Sequence, residues 1–173
     1  MKTKTPKESY TISTQIVLPN DTNVLGNLMG GRLLHWMDIT SAIAAHRHSN
    51  RVVVTASVNH VSFERAIKLG DYVTIEAKVS RAFNTSMEVF IVVSVEDNNT
   101  GKKVKSNDAS YIFVAVDQQG RPIEIPQLDP ETPEEKLHYD TALKRKQLSL
   151  LLSGKLKPHE APELRDLFLE KDK

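Results

Sequence analysis

One aspartate stands where the pattern around it calls for an apolar residue. Asp38 lies between Met37 and Ile39, one turn after Leu34, in a stretch that also holds Leu33, Trp36, Ala42 and Ile43. Aspartate is a poor helix former, and in apolar surroundings its charge is costly unless paired. Two readings account for it. It is a carboxylate in a dry cleft, used as a base or nucleophile, or it is structural, either bonding a neighbouring hydroxyl or lying on a face wetter than the pattern suggests. Just upstream, three of the seven glycines fall at Gly26, Gly30 and Gly31. Glycine lets a ligand approach the backbone, and a helix start offers free N–H groups with a partial positive charge. Together they can bind an anion or stabilise an oxyanion; the plainer reading is a loop followed by a helix. Asn27, in the same loop, can hold a water or a carbonyl, although asparagine is also an ordinary turn residue.

Other chemistries are excluded or find no support. The chain has no cysteine, so it has no disulfide, thiol nucleophile, thiolate zinc site or iron–sulfur cluster. His46 and His48 are two apart on a helix and do not face each other, while His35 and His60 are isolated, so no metal site is expected. There is no GxSxG, Walker or dinucleotide-binding glycine motif. A net charge of +1 argues against a nucleic-acid coat. Lys144-Arg145-Lys146 reads as a solvated helix face or a phosphate contact. Residues Met1 to Ser9 are polar, and no apolar run is long enough for a bilayer. The expectation is a soluble cytoplasmic protein with no nucleic-acid or membrane partner.

These residues need elements to position them, and 173 residues with 39 % hydrophobic content suffice for one domain and an extension. Residues 10–18 read as a strand closed by Pro19-Asn20-Asp21. Arg32 to His48 reads as a helix whose apolar residues wrap nearly all round, so it should be buried. Residues 52–58, 72–79, 87–95 and 109–116 then read as four strands in a meander, with turns at Ile67–Asp71, Phe83–Ser86 and Asn98–Gly101. One antiparallel sheet around one helix satisfies this α+β pattern. A sheet covers only one side of that helix, and a second subunit is the simplest cover for the other. After Gly120, four prolines within a dozen residues mark a linker. Thr132-Pro133-Glu134-Glu135 is a helix start, with a helix to Leu152 stopped by Gly154, and a short helix over 162–170. The organisation expected is an N-terminal tail (1–9), a domain (10–120), then a proline-rich linker with C-terminal helices (121–173).

The run from Asn20-Asp21-Thr22-Asn23 through Gly26-Asn27-Leu28-Met29-Gly30-Gly31 to Trp36-Met37-Asp38 resembles the hotdog-fold acyl-CoA thioesterases of the cytosolic long-chain acyl-CoA hydrolase type. Val54–Val58, Ile67–Asp71, Thr85–Val89, Phe113–Asp117 and Pro126–Thr132 match that family in the same order, over about residues 10 to 150. The resemblance implies hydrolysis of acyl-CoA to a free acid and CoA, with no further cofactor. It implies Asp38 as the catalytic carboxylate, Asn27 as the asparagine of the active-site loop, and Gly31, beside Gly30, as the amide that polarises the carbonyl. Thr85 and Ser86 match a motif near the site. The CoA phosphates need cations, for which Arg65, Lys68 and Arg81 are candidates. Leu33, Trp36, Met37 and Phe63 are the expected acyl-chain lining. Met29 departs from the family's common histidine, and Asn59-His60 from an aspartate followed by a varied residue.

Gly31 and Asp38 are seven residues apart, roughly 10 Å along a helix, whereas both must lie within about 3 Å of one reacting centre or its water. One helix cannot easily serve both ends. Two helices about a two-fold can, with Gly31 of one subunit facing Asp38 of the other. The expectation is an obligate dimer with interfacial sites, assembled in the resembled family as a hexamer, a trimer of dimers. Two other readings stand beside hydrolysis. A dehydratase or hydratase would want a histidine paired with a carboxylate, with His35 the faint candidate. A non-catalytic acyl-CoA sensor would leave Asp38 without a purpose.

Overall fold

Alternate residues of Tyr72–Ala82, Ser86–Glu96 and Lys103–Val116 are apolar, and these segments form the three inner strands of a five-stranded antiparallel sheet. The computed structural model describes residues 3–59, 61 and 65–164. Its elements are a short helix α1 (Pro6–Ser9), β1 (Thr11–Ile16), a long helix α2 (Gly30–Ser49), β2 (Val52–Asn59), β3 (Tyr72–Ala82), β4 (Ser86–Glu96), β5 (Lys103–Val116) and α3 (Pro133–Leu152). The inner face carries Val73, Ile75, Ala77 and Val79 of β3, then Met87, Val89, Ile91 and Val93 of β4, then Ala109, Tyr111, Phe113 and Ala115 of β5, all buried. Helix α2 touches all five strands, and its Leu33, Met37, Ala44 and Ala45 are buried. Hydroxyls on the same side are satisfied within the helix, Thr40 on the Trp36 carbonyl at 2.8 Å and Ser41 on the Met37 carbonyl at 2.6 Å.

The strand order is β1-β3-β4-β5-β2. The expected four-strand meander therefore holds only for β3, β4 and β5. β2 lies at the far edge against β5, pairing Val52 with Val116 and Thr55 with Phe113. Hairpin turns join the last three strands, whereas the longer connection after Asn59 allows the chain to cross to the other side of the sheet. Register shifts interrupt the β2–β5, β3–β4 and β4–β5 pairs. Such bulges bend strands and increase twist, so the sheet curls around α2.

The helix begins two residues earlier than expected, at Gly30. Met29 is its N-cap, and the Met29 carbonyl accepts from Arg32 N at 3.0 Å and Leu33 N at 3.1 Å. Asn50 ends it in the left-handed region at φ 52°. It is not covered all round. Gly31, His35, Ile39, Ile43 and His46 form an exposed stripe, with Ile39 48 % and Ile43 43 % exposed.

The chain divides into two compact units, Met1–Asp129 and Pro130–Lys173. The division falls nine residues beyond the one expected from composition. Residues 121–129 return to the sheet, with Ile123 N donating to the Ala115 carbonyl at 3.0 Å and Ile125 N to the Asn84 carbonyl at 3.1 Å. Main-chain pairing, which composition does not record, decides the boundary. The N-terminal segment is likewise pinned, unlike a tail: Ser9 is buried, its hydroxyl accepts from Val79 N at 2.9 Å, and Lys4 bridges to Leu128. In the second unit, Thr132 and Glu135 form the expected capping box at the start of α3, Glu135 N donating to Thr132 Oγ1 at 3.2 Å. Of the short helix expected over 162–170, residues 162–164 are helical and the remainder lies outside the described residues.

Candidate active site

The loop before α2 is built by its own polar residues. Asn23 Oδ1 accepts from Leu25 N at 2.9 Å and Asn27 N at 3.2 Å, and Gly26 turns the chain at φ 72°. Asp21 is buried, and its carboxylate accepts from Leu18 N at 3.1 Å and from Arg32 Nε at 2.7 Å. A second loop braces the first: Leu28 N donates to the Ile67 carbonyl at 2.7 Å and Leu69 N to the Gly26 carbonyl at 3.0 Å, and Asn27 bridges Lys68. The start of α2 is thereby held at a cleft.

That cleft, about 310 Å³, is lined by Asn27, Leu28, Gly30, Leu33, Arg65, Ala66 and Ile67. Gly31 follows in the first turn, with open space where a Cβ would stand and a φ outside the positive range. Nothing in the fold requires glycine there, so its smallness leaves room for a group beyond the chain. A second cavity of about 240 Å³ lies across the 65–67 segment, with Arg65, Lys68 and Lys102 in its wall beside Asp71 and Asp97.

Asp38 lies two turns into the helix and lines neither cavity. It is half-buried, and Thr55 Oγ1 donates to its Oδ1 at 2.8 Å. The hydroxyl-bonded reading is therefore met, and among the described residues it leaves three further lone-pair sites of the carboxylate without a hydrogen-bond donor. The β2 register shift falls between Thr55 and Ser57, where a bulge can re-aim a side chain. Tyr111 packs behind on β5, its hydroxyl 3.4 Å from the Leu34 carbonyl. Burial, and secondarily the charge of Asp38, pushes the Tyr111 phenol up to about 12.

The sequence profile of the thioesterase superfamily matches residues 25–102. An uncharacterised acyl-CoA thioester hydrolase of Bacillus subtilis, YkhA, is 38 % identical over 83 % of this chain and 84 % of its own. The chain belongs to the thioesterase superfamily. The rat cytosolic acyl coenzyme A thioester hydrolase is 32 % identical over 90 % of this chain, which spans 41 % of that longer protein. Among solved structures, an acyl-CoA thioesterase crystallised as an apo hexamer superposes with a TM-score of 0.84 at 37 % identity, over 91 % of this chain and 100 % of its own. An acyl-CoA hydrolase from Staphylococcus aureus, solved with butyryl coenzyme A and coenzyme A, has a TM-score of 0.80 at 35 % identity, over 88 % and 95 %. The expected thioesterase family and hotdog fold are both met.

Within this thioesterase fold, Asn27, Gly30 and Arg65 converge on one cleft, with Lys68 beside it. Thr85 and Ser86 lie at the other end of the sheet. Ser86 pairs with Val114 and Val114 with Val54, one residue from Thr55, so they share the Asp38 end. Arg81 is set apart from Arg65 and Lys68. It lies nine residues beyond Tyr72, roughly 30 Å of strand, opposite Glu88 and 5.7 Å from the Phe83 ring centroid. Phe63 and His60 lie outside the described residues. Thr55, Tyr111 and Asn23 were not given roles by sequence reasoning. Thr55 and Tyr111 gain theirs from strand pairing, and Asn23 only from the closure of its loop. Among the described residues no group of three histidines and carboxylates is placed to hold a metal, and no helix is long and apolar enough to cross a membrane.

Proposed function

We propose that the protein hydrolyses acyl-CoA thioesters to a free acid and CoA, at two equivalent sites shared across a two-fold dimer. One observation carries this. The donor end of α2 opens on a cleft, and the Asp38 carboxylate of the same helix, held by Thr55, lies two turns away, outside that cleft. A second copy brings the two ends together. The names of the relatives support the substrate class, and the butyryl coenzyme A in the Staphylococcus enzyme supports the acyl-CoA cleft. The hexameric neighbour supports assembly beyond the dimer, which we propose to be a trimer of dimers. The cytosolic name of the rat relative supports a cytoplasmic location.

In this reading the N–H groups of Gly31 and Gly30 hold the thioester oxygen as it becomes an oxyanion. Asp38 of the partner either removes a proton from water or adds to the carbonyl carbon and forms an anhydride. Thr55 holds that carboxylate. The departing thiolate is a good leaving group, so water and these residues suffice without a cofactor. Arg65 and Lys68 meet the CoA phosphates, and Arg81, with Thr85 and Ser86, serves the Asp38 end. Variants of the Staphylococcus enzyme with one asparagine, one aspartate or one threonine changed to alanine have been solved. Their aspartate follows the asparagine by fifteen residues and precedes the threonine by seventeen. Asn23, Asp38 and Thr55 have those spacings here, which supports adding Asn23 beside Asn27.

The test is thiol release from acyl-CoAs of increasing chain length. The chain has no cysteine, so its own background is nil. Asp38→Ala is expected to lose roughly a hundredfold or more. Mixing Asp38→Ala with Gly31→Val, each inactive alone, is expected to restore turnover, because one site in each mixed dimer is intact. Binding without turnover on any chain length would replace hydrolysis with acyl-CoA sensing. In a single turnover in heavy-oxygen water, label entering Asp38 identifies the anhydride route, because general-base hydrolysis puts solvent oxygen only in the product acid.

A further inference from the structure

Apolar and aromatic side chains line the inner face of the sheet, and one amide interrupts them. Asn107 of β5 pairs with Val93 of β4, and Val93 pairs with Ile75 of β3. Paired residues share a face, so Asn107 stands on the side that packs on α2. It is 6 % exposed, and neither its amide nitrogen nor its oxygen has a hydrogen-bond partner. At His48 and Gln147, by contrast, the unpartnered atom sits beside one that is bonded. A buried amide left unmet at both ends is costly, and the fold draws no bond from this one.

Its position ties it to the site. Val95 and Val104, the next pair on the same face, line the cavity that shares the Arg65–Ile67 wall with the Gly30 cleft. Between the two pairs the register shifts, leaving Ser106 out of pair, and Ser106 lines that cavity as well. Such a bulge re-aims the side chains beside it. β2 ends opposite Ser110, so no described strand flanks Asn107 on its other side. β5 begins level with Glu96 and Tyr72, at the end of the sheet where Ile67 and Leu69 brace the Gly26–Leu28 loop. Tyr111, farther along β5, reaches the Leu34 carbonyl, so Asn107 lies on the Gly30 side of it. Leu33 both lines the Gly30 cleft and is buried in the core. An acyl chain held by its thioester at Gly30 and Gly31 leads past Leu33 into this interior.

We propose that Asn107 selects acyl chains bearing a hydroxyl or oxo group at its depth over plain alkyl chains of the same length. The inference rests on the acyl-CoA reading of the site. A carboxamide donates and accepts, so it donates to an oxo group and does both with a hydroxyl. A plain chain reaching that depth covers the amide and leaves it unmet, which disfavours that chain. Ile75, Val93, Val95 and Val104 suit the rest of the chain. Asn107 meets the acyl tail and not the reacting carbonyl, so it sets specificity and takes no part in the chemistry.

The test compares wild type, Asn107→Thr and Asn107→Val in thiol release and in equilibrium binding. The probes are acyl-CoAs of one chain length with a hydroxyl at successive carbons from the β-carbon outward, beside the plain chain. Threonine and valine have one shape and differ by a hydroxyl, so a change in packing is common to both. Wild type is expected to favour one hydroxylated position over the plain chain by roughly tenfold or more in kcat/KM. Asn107→Thr is expected to keep a preference for a hydroxylated chain, and Asn107→Val to lose it and to gain on the plain chain. The urea midpoint of Asn107→Val, measured without ligand, is expected to be no lower than that of wild type, because no internal hydrogen bond is removed. If the three proteins discriminate alike, or if Asn107→Val loses turnover by the same factor on every chain, the proposal is overturned while hydrolysis stands. A lower urea midpoint with unchanged preference overturns it too and makes Asn107 structural. If wild type releases no thiol but binds a hydroxylated chain more tightly than the plain one, and Asn107→Val does not, the selection stands and the hydrolase reading falls.

Discussion

Asp21 and Asp38 lie seventeen residues apart, one in the loop before α2 and one inside it, and the structure treats them in opposite ways. Asp21 is 6 % exposed, and its carboxylate serves the Leu18 amide and the Arg32 guanidinium. It is consumed by architecture and holds the start of α2 in place. Asp38 is half-buried with one hydroxyl partner among the described residues. Asp71 belongs with Asp21: it is buried, and it accepts from Lys68 N at 2.9 Å. A carboxylate whose lone pairs are filled by its own fold is a fastener. One that keeps lone pairs at an uncovered edge is available for chemistry.

Substitutions can break this contrast. The largest effect is expected from Asp38→Asn, which keeps the size and removes the charge. kcat should fall by roughly a hundredfold or more, about 3 kcal/mol in the barrier, while the urea midpoint stays close to wild type. Asp21→Ala should invert that pattern. It leaves Arg32 and the Leu18 amide without their partner, and a loss of about 2–3 kcal/mol of unfolding free energy is expected in urea. If Asp21→Ala lost activity and kept its stability, the division of labour would be wrong. Thr55→Val removes the hydrogen bond that Asp38 accepts from Thr55 Oγ1. A roughly tenfold loss of kcat is expected, about 1.4 kcal/mol, with little change in KM. An unchanged kcat would show that Thr55 only packs there.

The smallest expected effect concerns a buried base instead of an acid. The His48 ring is fully buried, and its Nε2 lies 2.8 Å from the Pro126 carbonyl, to which it donates. Burial holds its pKa below the ordinary histidine value, and the hydrogen bond only partly opposes this. The unfolded chain therefore binds this proton more readily than the folded one. His48 accordingly favours folding fully above about pH 6.5, and that contribution is lost as pH falls toward the folded pKa, at up to about 1.4 kcal/mol per pH unit. Unfolding temperatures from pH 7.5 to 5 should fall less steeply for His48→Gln than for wild type.

Much of this was legible in residue order. The period-two runs gave β3, β4 and β5, and the apolar stretch from Leu33 gave α2, because both patterns are local. Asp38 stood out as a charge among apolar neighbours, and the Gly30-Gly31 pair marked the helix start beside it. The resemblance supplied the family, which the comparisons bear out. The placement of β2 beside β5, the pinning of residues 3–9 and the return of 121–129 to the sheet were not legible. Each depends on main-chain hydrogen bonds between distant segments, and such pairing leaves no periodic trace in side-chain type. That the sheet covers one side of α2 was expected, but which side was not legible for a related reason: composition records how apolar a helix is, not which side the sheet reaches.

By itself, then, the sequence determined the inventory: which segments become strands, where the long helix runs, and which carboxylate is out of place. These follow from steric preference and from the cost of leaving apolar groups in water or charges out of it. Only the tertiary structure decided that Thr55 meets Asp38, that Asn27 and Gly30 share a cleft with Arg65, and that one stripe of α2 is left uncovered. Those outcomes rest on how the sheet curls and which edge β2 joins, and curvature and pairing are set by contacts across the whole chain.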